Sequence, residues 1–154
     1  MTEQNLWERA IEYHQNQEWE KCLDSLNQLI HHSPNHIEGI RLKANVLEQI
    51  DRWEEAVKAY ETALSLAPSC FELNHELGRL LWKMGRHQES LPLLESATKI
   101  NPQSYQAWAD LGVNYYILKN LDQAAICLTK SLEILPDRAD TIASLAVVYA
   151  EKKR

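Results

Sequence analysis

The sequence is poor in the residues that break or reverse a chain. It contains four glycines and five prolines among 154 residues. A content this low disfavours a sheet-rich fold with many tight turns. The hydrophobic fraction of 45% and the charged fraction of 25% are typical of a globular chain that buries a core. The length suits one domain of ordinary size.

The sequence also lacks an excess of positive charge, since its net charge is -6 and its pI is near 5.5. Nucleic-acid binding requires a surplus of Lys and Arg on one face, so we expect no nucleic-acid partner. No apolar run follows a basic start, which predicts that there is no signal peptide. No uninterrupted run of roughly eighteen apolar residues occurs, so we expect no membrane association.

Cysteine is scarce, and the three cysteines are widely spaced: Cys22, Cys70 and Cys127. They form neither a disulfide framework nor a metal-binding pair, which favours a reducing cytoplasm as the location. The cluster of His31, His32 and His36 matches no standard zinc spacing, so we expect no metal. The sequence has no phosphate-binding loop, nucleophile elbow or HExxH motif, so neither a cofactor nor an enzymatic activity is expected.

The prolines that are present recur every 34 residues, at Pro34, Pro68, Pro102 and Pro136. A small residue keeps the same interval at Ala10, Ala44, Gly78, Gly112 and Ala146. A large apolar residue keeps it at Leu26, Tyr60, Leu94 and Leu128. Small residues allow two helices to approach closely, and a proline after a helical run ends that helix. The pattern therefore predicts repeated helix–turn–helix units.

Within each repeat, apolar residues follow helical spacing in two runs that a short turn separates. The predicted helices span residues 3–16, 19–32, 36–49, 53–66, 70–83, 87–100, 104–117, 121–134 and 138–151. No strand-like alternation competes with this interpretation.

The unit resembles the tetratricopeptide repeat, whose pattern is W-x2-L-G-x2-Y, then A-x3-F, then P. The best match consists of Trp108, Leu111, Gly112, Tyr115, Ala124, Leu128 and Pro136. Other units depart from the pattern, with Lys43 in place of Leu and Asn74 in place of Trp. The resemblance covers essentially the whole chain and implies an all-α, right-handed superhelical solenoid of about four and a half units. We expect one domain over 1–154, with units 3–36, 37–70, 71–104, 105–138 and a capping half-unit 139–154.

The resemblance implies that the first helix of each unit lines a concave groove, in which the protein binds another protein or peptide. Residues of these helices that lie between the packing columns are the predicted binding residues: Trp7, Arg41, Asn45, His75, Arg79, Trp82, Val113 and Tyr116. Three of them are large aromatics that the packing pattern does not require, and exposed aromatics and arginines anchor interfaces. The alternative is that these rings pack on neighbouring side chains.

Arg41 and Asn45 lie one helical turn apart and resemble the opening pair of the carboxylate clamp found in some members of the family. The clamp also requires an amide and two basic residues, where this chain has Glu76, Gln106 and Asp110. The acidic residues would repel a terminal carboxylate, so we expect no clamp. A mixed, acid-leaning groove favours a peptide with basic and apolar side chains instead.

The sequence thus indicates a scaffold or adaptor, and two alternatives stay open. The chain could be the substrate-recruiting arm of a larger enzyme or assembly factor. It could also form a homo-oligomer through its C-terminal helix, because Val147 and Val148 cannot both face inward.

Overall fold

The computed structural model describes residues 1–154 and contains nine α-helices and no strand. The helices are α1 (Glu3–Gln15), α2 (Trp19–His32), α3 (Ile37–Gln49), α4 (Trp53–Leu66), α5 (Phe71–Lys83), α6 (His87–Ile100), α7 (Tyr105–Ile117), α8 (Leu121–Ile134) and α9 (Ala139–Lys152). The all-α prediction is confirmed, and no predicted helix boundary differs from the observed one by more than one residue. No helix combines the length and the apolar character that crossing a membrane requires.

The helices group into two compact units, Met1–Pro68 with α1 to α4 and Ser69–Arg154 with α5 to α9. Inside each unit, every helix packs against the next one along the chain. The expectation of a single domain over 1–154 stays a prediction.

The short turn after each first helix passes through the left-handed region of backbone conformation. The residues with positive φ are Gln17 (59°), Asp51 (60°), Gly85 (76°) and Lys119 (64°), which again recur every 34 residues. The backbone N–H three residues after the end of the helix donates to a carbonyl of its last turn, as the Glu18 N–H does to the Tyr13 carbonyl at 2.8 Å. This bond ends the helix by satisfying a carbonyl that would otherwise lack a partner.

The core forms where the small column of the first helices meets the large column of the second helices. Leu26, Tyr60, Leu94 and Leu128 are all at most 1% exposed. A Cβ added at Gly78 would lie 2.8 Å from Leu94 Cδ2, and one at Gly112 would lie 2.7 Å from Leu128 Cγ. The glycines therefore set the close approach of the paired helices.

Tyr115, three residues after the small residue Gly112, makes a partly buried hydrogen bond. The Tyr115 hydroxyl donates to Glu95 Oε1 at 2.5 Å. Burial, together with this bond to a carboxylate, raises the pKa of Tyr115 well above its usual range.

We therefore expect the Tyr115 hydroxyl to ionise only at a pH well above the usual range of a tyrosine in the folded protein. Because its folded pKa exceeds its unfolded value of about 10, its contribution to stability is full below that pH and is lost as the pH rises further. Alkaline titration of tyrosine absorbance checks this, with Tyr115→Phe as the reference. Unchanged absorbance at the highest pH in that variant would contradict the assignment.

The last helix packs on α8 with only part of its apolar surface. Thr141 and Val148 are buried, and Val148 lies in a cluster with Ala124, Ala125 and Leu128. Val147 is 47% exposed. Because α9 turns Val148 onto α8, only Val147 of the two valines is left accessible, and a homo-oligomer through this helix stays a prediction.

Candidate functional site

In residues 1–68, the exposed sides of α1 and α3 enclose a cavity of about 300 Å³. Its lining consists of Trp7, Ile11, His14, Glu38, Arg41, Leu42 and Asn45. Three predicted binding residues, Trp7, Arg41 and Asn45, thus lie at one site. This arrangement follows from the repeat, because equivalent positions of successive first helices lie side by side.

Trp7 and Asn45 make contacts within the fold that orient their side chains. The Trp7 ring lies 5.2 Å from the His36 ring, whose Nδ1 accepts the Gly39 N–H at 2.9 Å and so caps α3. The Asn45 amide donates to the Arg41 carbonyl at 3.0 Å and to the Tyr60 hydroxyl at 2.9 Å. A ligand at this site would meet side chains that the fold already orients.

In residues 69–154, a cavity of about 180 Å³ opens between α5 and α7. It is lined by Arg79, Trp82, Lys83, Leu94, Asp110 and Val113. The Trp82 ring packs edge-on against His87, with the ring centroids 6.0 Å apart, and the residue stays 36% exposed. A large aromatic side chain is therefore held in place by one neighbour and open on its other side.

The polar side of this cavity is formed by Asp110 and the two side chains that contact it. His75 Nε2 lies 2.7 Å from Asp110 Oδ2, and Arg79 Nε lies 3.6 Å from the same oxygen. The His75 side chain is 12% exposed, whereas that of Arg79 is 63% exposed. His75 thus orients Asp110 from below the surface, and Arg79 presents its guanidinium to solvent.

A second cavity of about 220 Å³ adjoins the first along α7 and α9. It is lined by Val113, Tyr116, Leu128, Ser144, Val147 and Val148. Val113 borders both cavities, so the exposed apolar surface runs without a break across α5, α7 and α9. We call the surface formed by Trp82, Val113, Tyr116 and Val147 the apolar strip.

All eight predicted binding residues thus lie in or directly behind these three cavities, although their binding role stays a prediction. The sequence did not predict that Lys83 lines a cavity, or that Asp110 contacts both His75 and Arg79. The only signal for the His75–Asp110 contact is a separation of one repeat plus one residue, which does not reveal where either side chain points. The first cavity of this unit carries Arg79 and Lys83 beside the carboxylate of Asp110, so its local charge is positive. The expected preference for a peptide with basic and apolar side chains stays a prediction.

Two family models described as tetratricopeptide repeat match residues 75–139 and 40–71. No curated protein shows significant sequence similarity to the chain.

Solved structures share the fold at low sequence identity. MamA, residues 41 to the end, from Desulfovibrio magneticus RS-1 is 20% identical with a TM-score of 0.92, over 98% of this chain and 85% of that one. YrrB, described as a TPR protein with an unusual peptide-binding site, is 24% identical with a TM-score of 0.87, over 94% and 74%. A tetratricopeptide repeat protein from Parabacteroides merdae is 17% identical with a TM-score of 0.89, over 95% and 58%.

At these identities the structural likeness concerns the fold alone, and it agrees with the repeated helix pairs and with the residues that the family models match. The chain belongs to the tetratricopeptide repeat family and has the helical solenoid fold of that family.

Proposed function

We propose that this protein is an interaction scaffold or adaptor, and that it binds an extended segment of another protein along the apolar strip of α5, α7 and α9. The observation that carries the proposal is the open face of Trp82, which packs against His87 and lies beside a partly exposed Val113 and an exposed Arg79. YrrB, a TPR protein with an unusual peptide-binding site, supports it by analogy of fold. The three free cysteines support a reducing compartment such as the cytoplasm.

The chemistry of the strip indicates what such a segment presents. An apolar or aromatic side chain would fill the cavity between Trp82 and Val113, where water is released from apolar surface. A carboxylate next to it would meet Arg79, since the exposed Arg79–Asp110 contact is worth little and is readily exchanged. A second apolar side chain would fit against Tyr116 and Val147.

We expect Trp82→Ala to weaken binding of such a segment by about tenfold or more, because truncating a central aromatic anchor typically costs over 1 kcal/mol. Peptides selected by display on the immobilised protein supply the ligand, and calorimetric titration supplies the dissociation constant. Ile126→Ala is the control, since Ile126 is 47% exposed on α8 and lines neither cavity of the strip. Equal affinities of the wild type and Trp82→Ala would place the binding surface elsewhere.

A further inference from the structure

A second exposed apolar surface lies on α9, away from the apolar strip. Ile142 is 50% exposed and Tyr149 is 48% exposed, and Ala146 between them is exposed too. The three residues are spaced at i, i+4 and i+7, so they share one face of the helix. We call this surface the outer face of α9.

The repeat shows what such a face does elsewhere in the chain. The positions equivalent to Ile142 are Leu6, Ile40, Asn74 and Trp108, and those equivalent to Tyr149 are Tyr13, Leu47, Leu81 and Tyr115. Of these, Ile40, Asn74, Leu47 and Leu81 are at most 4% exposed. In the third and fourth units this face packs on the helix that follows, as the contacts of Gly78 with Leu94 and of Gly112 with Leu128 show. The outer face of α9 therefore has the shape and composition of a helix-packing surface.

Beside this face, α8 and α9 form a groove. Its lining includes Ala125, Ile126, Thr129 and Tyr149, and the Asp122–Lys152 ion pair of 2.8 Å closes one end. The exposed Ile126 extends the apolar surface of α9 onto α8. One further helix laid in the groove would cover Ile126 and Tyr149 together.

We propose that the occupant is α9 of a second copy of this chain, packed antiparallel about a two-fold axis. The charges of α9 favour this occupant. At its N-terminal end Asp140 is paired with Arg138, which leaves the carboxylate of Asp137 in excess. At its C-terminal end Lys152 is paired with Asp122 and Arg154 with Glu151, which leaves the ammonium of Lys153 in excess. An antiparallel pair brings the acidic end of each copy to the basic end of the other, and it also opposes the two helix dipoles.

The apolar residues fit the same symmetry. Ile142 and Tyr149 lie equally far from the middle of α9 (Ala139–Lys152), and the small Ala146 lies at the middle. A two-fold axis there places Ile142 of each copy opposite Tyr149 of the other, with close approach at Ala146. A parallel pair would place like residues together and like charges at each end.

The first test measures the mass of the full chain by sedimentation equilibrium over about a hundredfold range of concentration, because association follows mass action. We expect the mass to rise from 17.8 kDa towards twice that value. Ile142→Glu is expected to weaken association by about tenfold or more, since it buries a carboxylate in the interface. Val147→Glu is the matched control, on the same helix with 47% exposure but on the side of the apolar strip.

The second test examines the antiparallel register. Neither Ile142→Glu nor Tyr149→Lys should dimerise well alone, but an equimolar mixture should form a heterodimer. The two-fold axis gives each dimer two contacts between positions 142 and 149. In the heterodimer one of them stays the native Ile142–Tyr149 contact, and the other pairs the introduced glutamate with the introduced lysine. Circular dichroism of each variant confirms that the exposed substitutions leave the helices intact. Binding of display-selected peptides stays unchanged in Ile142→Glu and Tyr149→Lys, because neither residue lines the apolar strip.

A wild-type chain that stays monomeric over the whole range would overturn the proposal. So would equal losses in Ile142→Glu and Val147→Glu, which would place the contact on the other side of α9. Failure of the mixture to associate would rule out the antiparallel pairing.

Discussion

Replacing Gly112 with leucine is expected to destabilise residues 69–154 by more than about 3 kcal/mol. Even a Cβ at this position would lie 2.7 Å from Leu128 Cγ and 3.2 Å from the Leu128 backbone nitrogen. A backbone atom cannot turn aside as a flexible side-chain tip can, so α7 and α8 would have to separate. The better helix propensity of leucine offsets only about 1 kcal/mol of this cost. Urea unfolding followed by circular dichroism measures the change.

Ala146→Leu is the matched control for this substitution, because Ala146 occupies the same repeat position on α9 but is exposed. We expect it to change the free energy of unfolding by no more than about 0.5 kcal/mol at concentrations where the chain is monomeric. If both substitutions were equally mild, the close contact between α7 and α8 would not be what fixes their spacing.

A double variant shows whether the cost arises at the named contact. Leu128→Ala alone should cost about 2–5 kcal/mol, since Leu128 is fully buried. In the double variant, Leu128→Ala makes room for the new leucine side chain. The double variant should therefore lose less stability than the sum of the two single losses. Strict additivity would mean that the clash occurs with another neighbour.

The helices could be predicted from the sequence because their signals are local and repeated. Proline, small and large apolar positions recur every 34 residues, and each recurrence fixes a boundary independently. The left-handed turns between the helices of a pair are harder to predict from the sequence. Gly85 signals its own turn, but Gln17, Asp51 and Lys119 adopt the same conformation at a cost of about 1–2 kcal/mol each. The tertiary context of the helix pair overrides the local preference, which no composition rule reveals.

The candidate site could be predicted only as a set of positions. The resemblance to the family indicates that the first helix of each unit lines the site. Arg79, Trp82 and Val113 do line one cavity. What each side chain does there depends on rotamers and on neighbours one repeat away. His75 turns towards Asp110, and the Asn45 amide donates to Tyr60. For the same reason the sequence could not separate Val147 from Val148 on α9.

We expect Cys70 to be alkylated rapidly in the folded protein. Cys22 and Cys127 should be alkylated at least about a hundredfold more slowly. Cys22 and Cys127 are at most 2% exposed, whereas Cys70 begins α5 and is partly exposed. Burial raises the pKa of the Cys22 thiol and of the Cys127 thiol to about 11. Because the thiolate is the nucleophile, this shift alone reduces its fraction near pH 8 by about two orders of magnitude.

Mass spectrometry of peptides after timed treatment with iodoacetamide follows each thiol separately, and a sample in concentrated urea provides the reference in which all three react alike. Cys22 lies within residues 1–68 and Cys127 within residues 69–154, so each slow thiol reports the opening of its own compact unit. When reclosing is faster than alkylation, the rate follows the free energy of opening. Gly112→Leu should therefore accelerate alkylation of Cys127 by about tenfold for every 1.4 kcal/mol of stability that it removes. Equal rates at Cys70 and Cys127 in the wild type would show that α8 does not shield its thiol, and the packing of α7 on α8 described above would then be wrong.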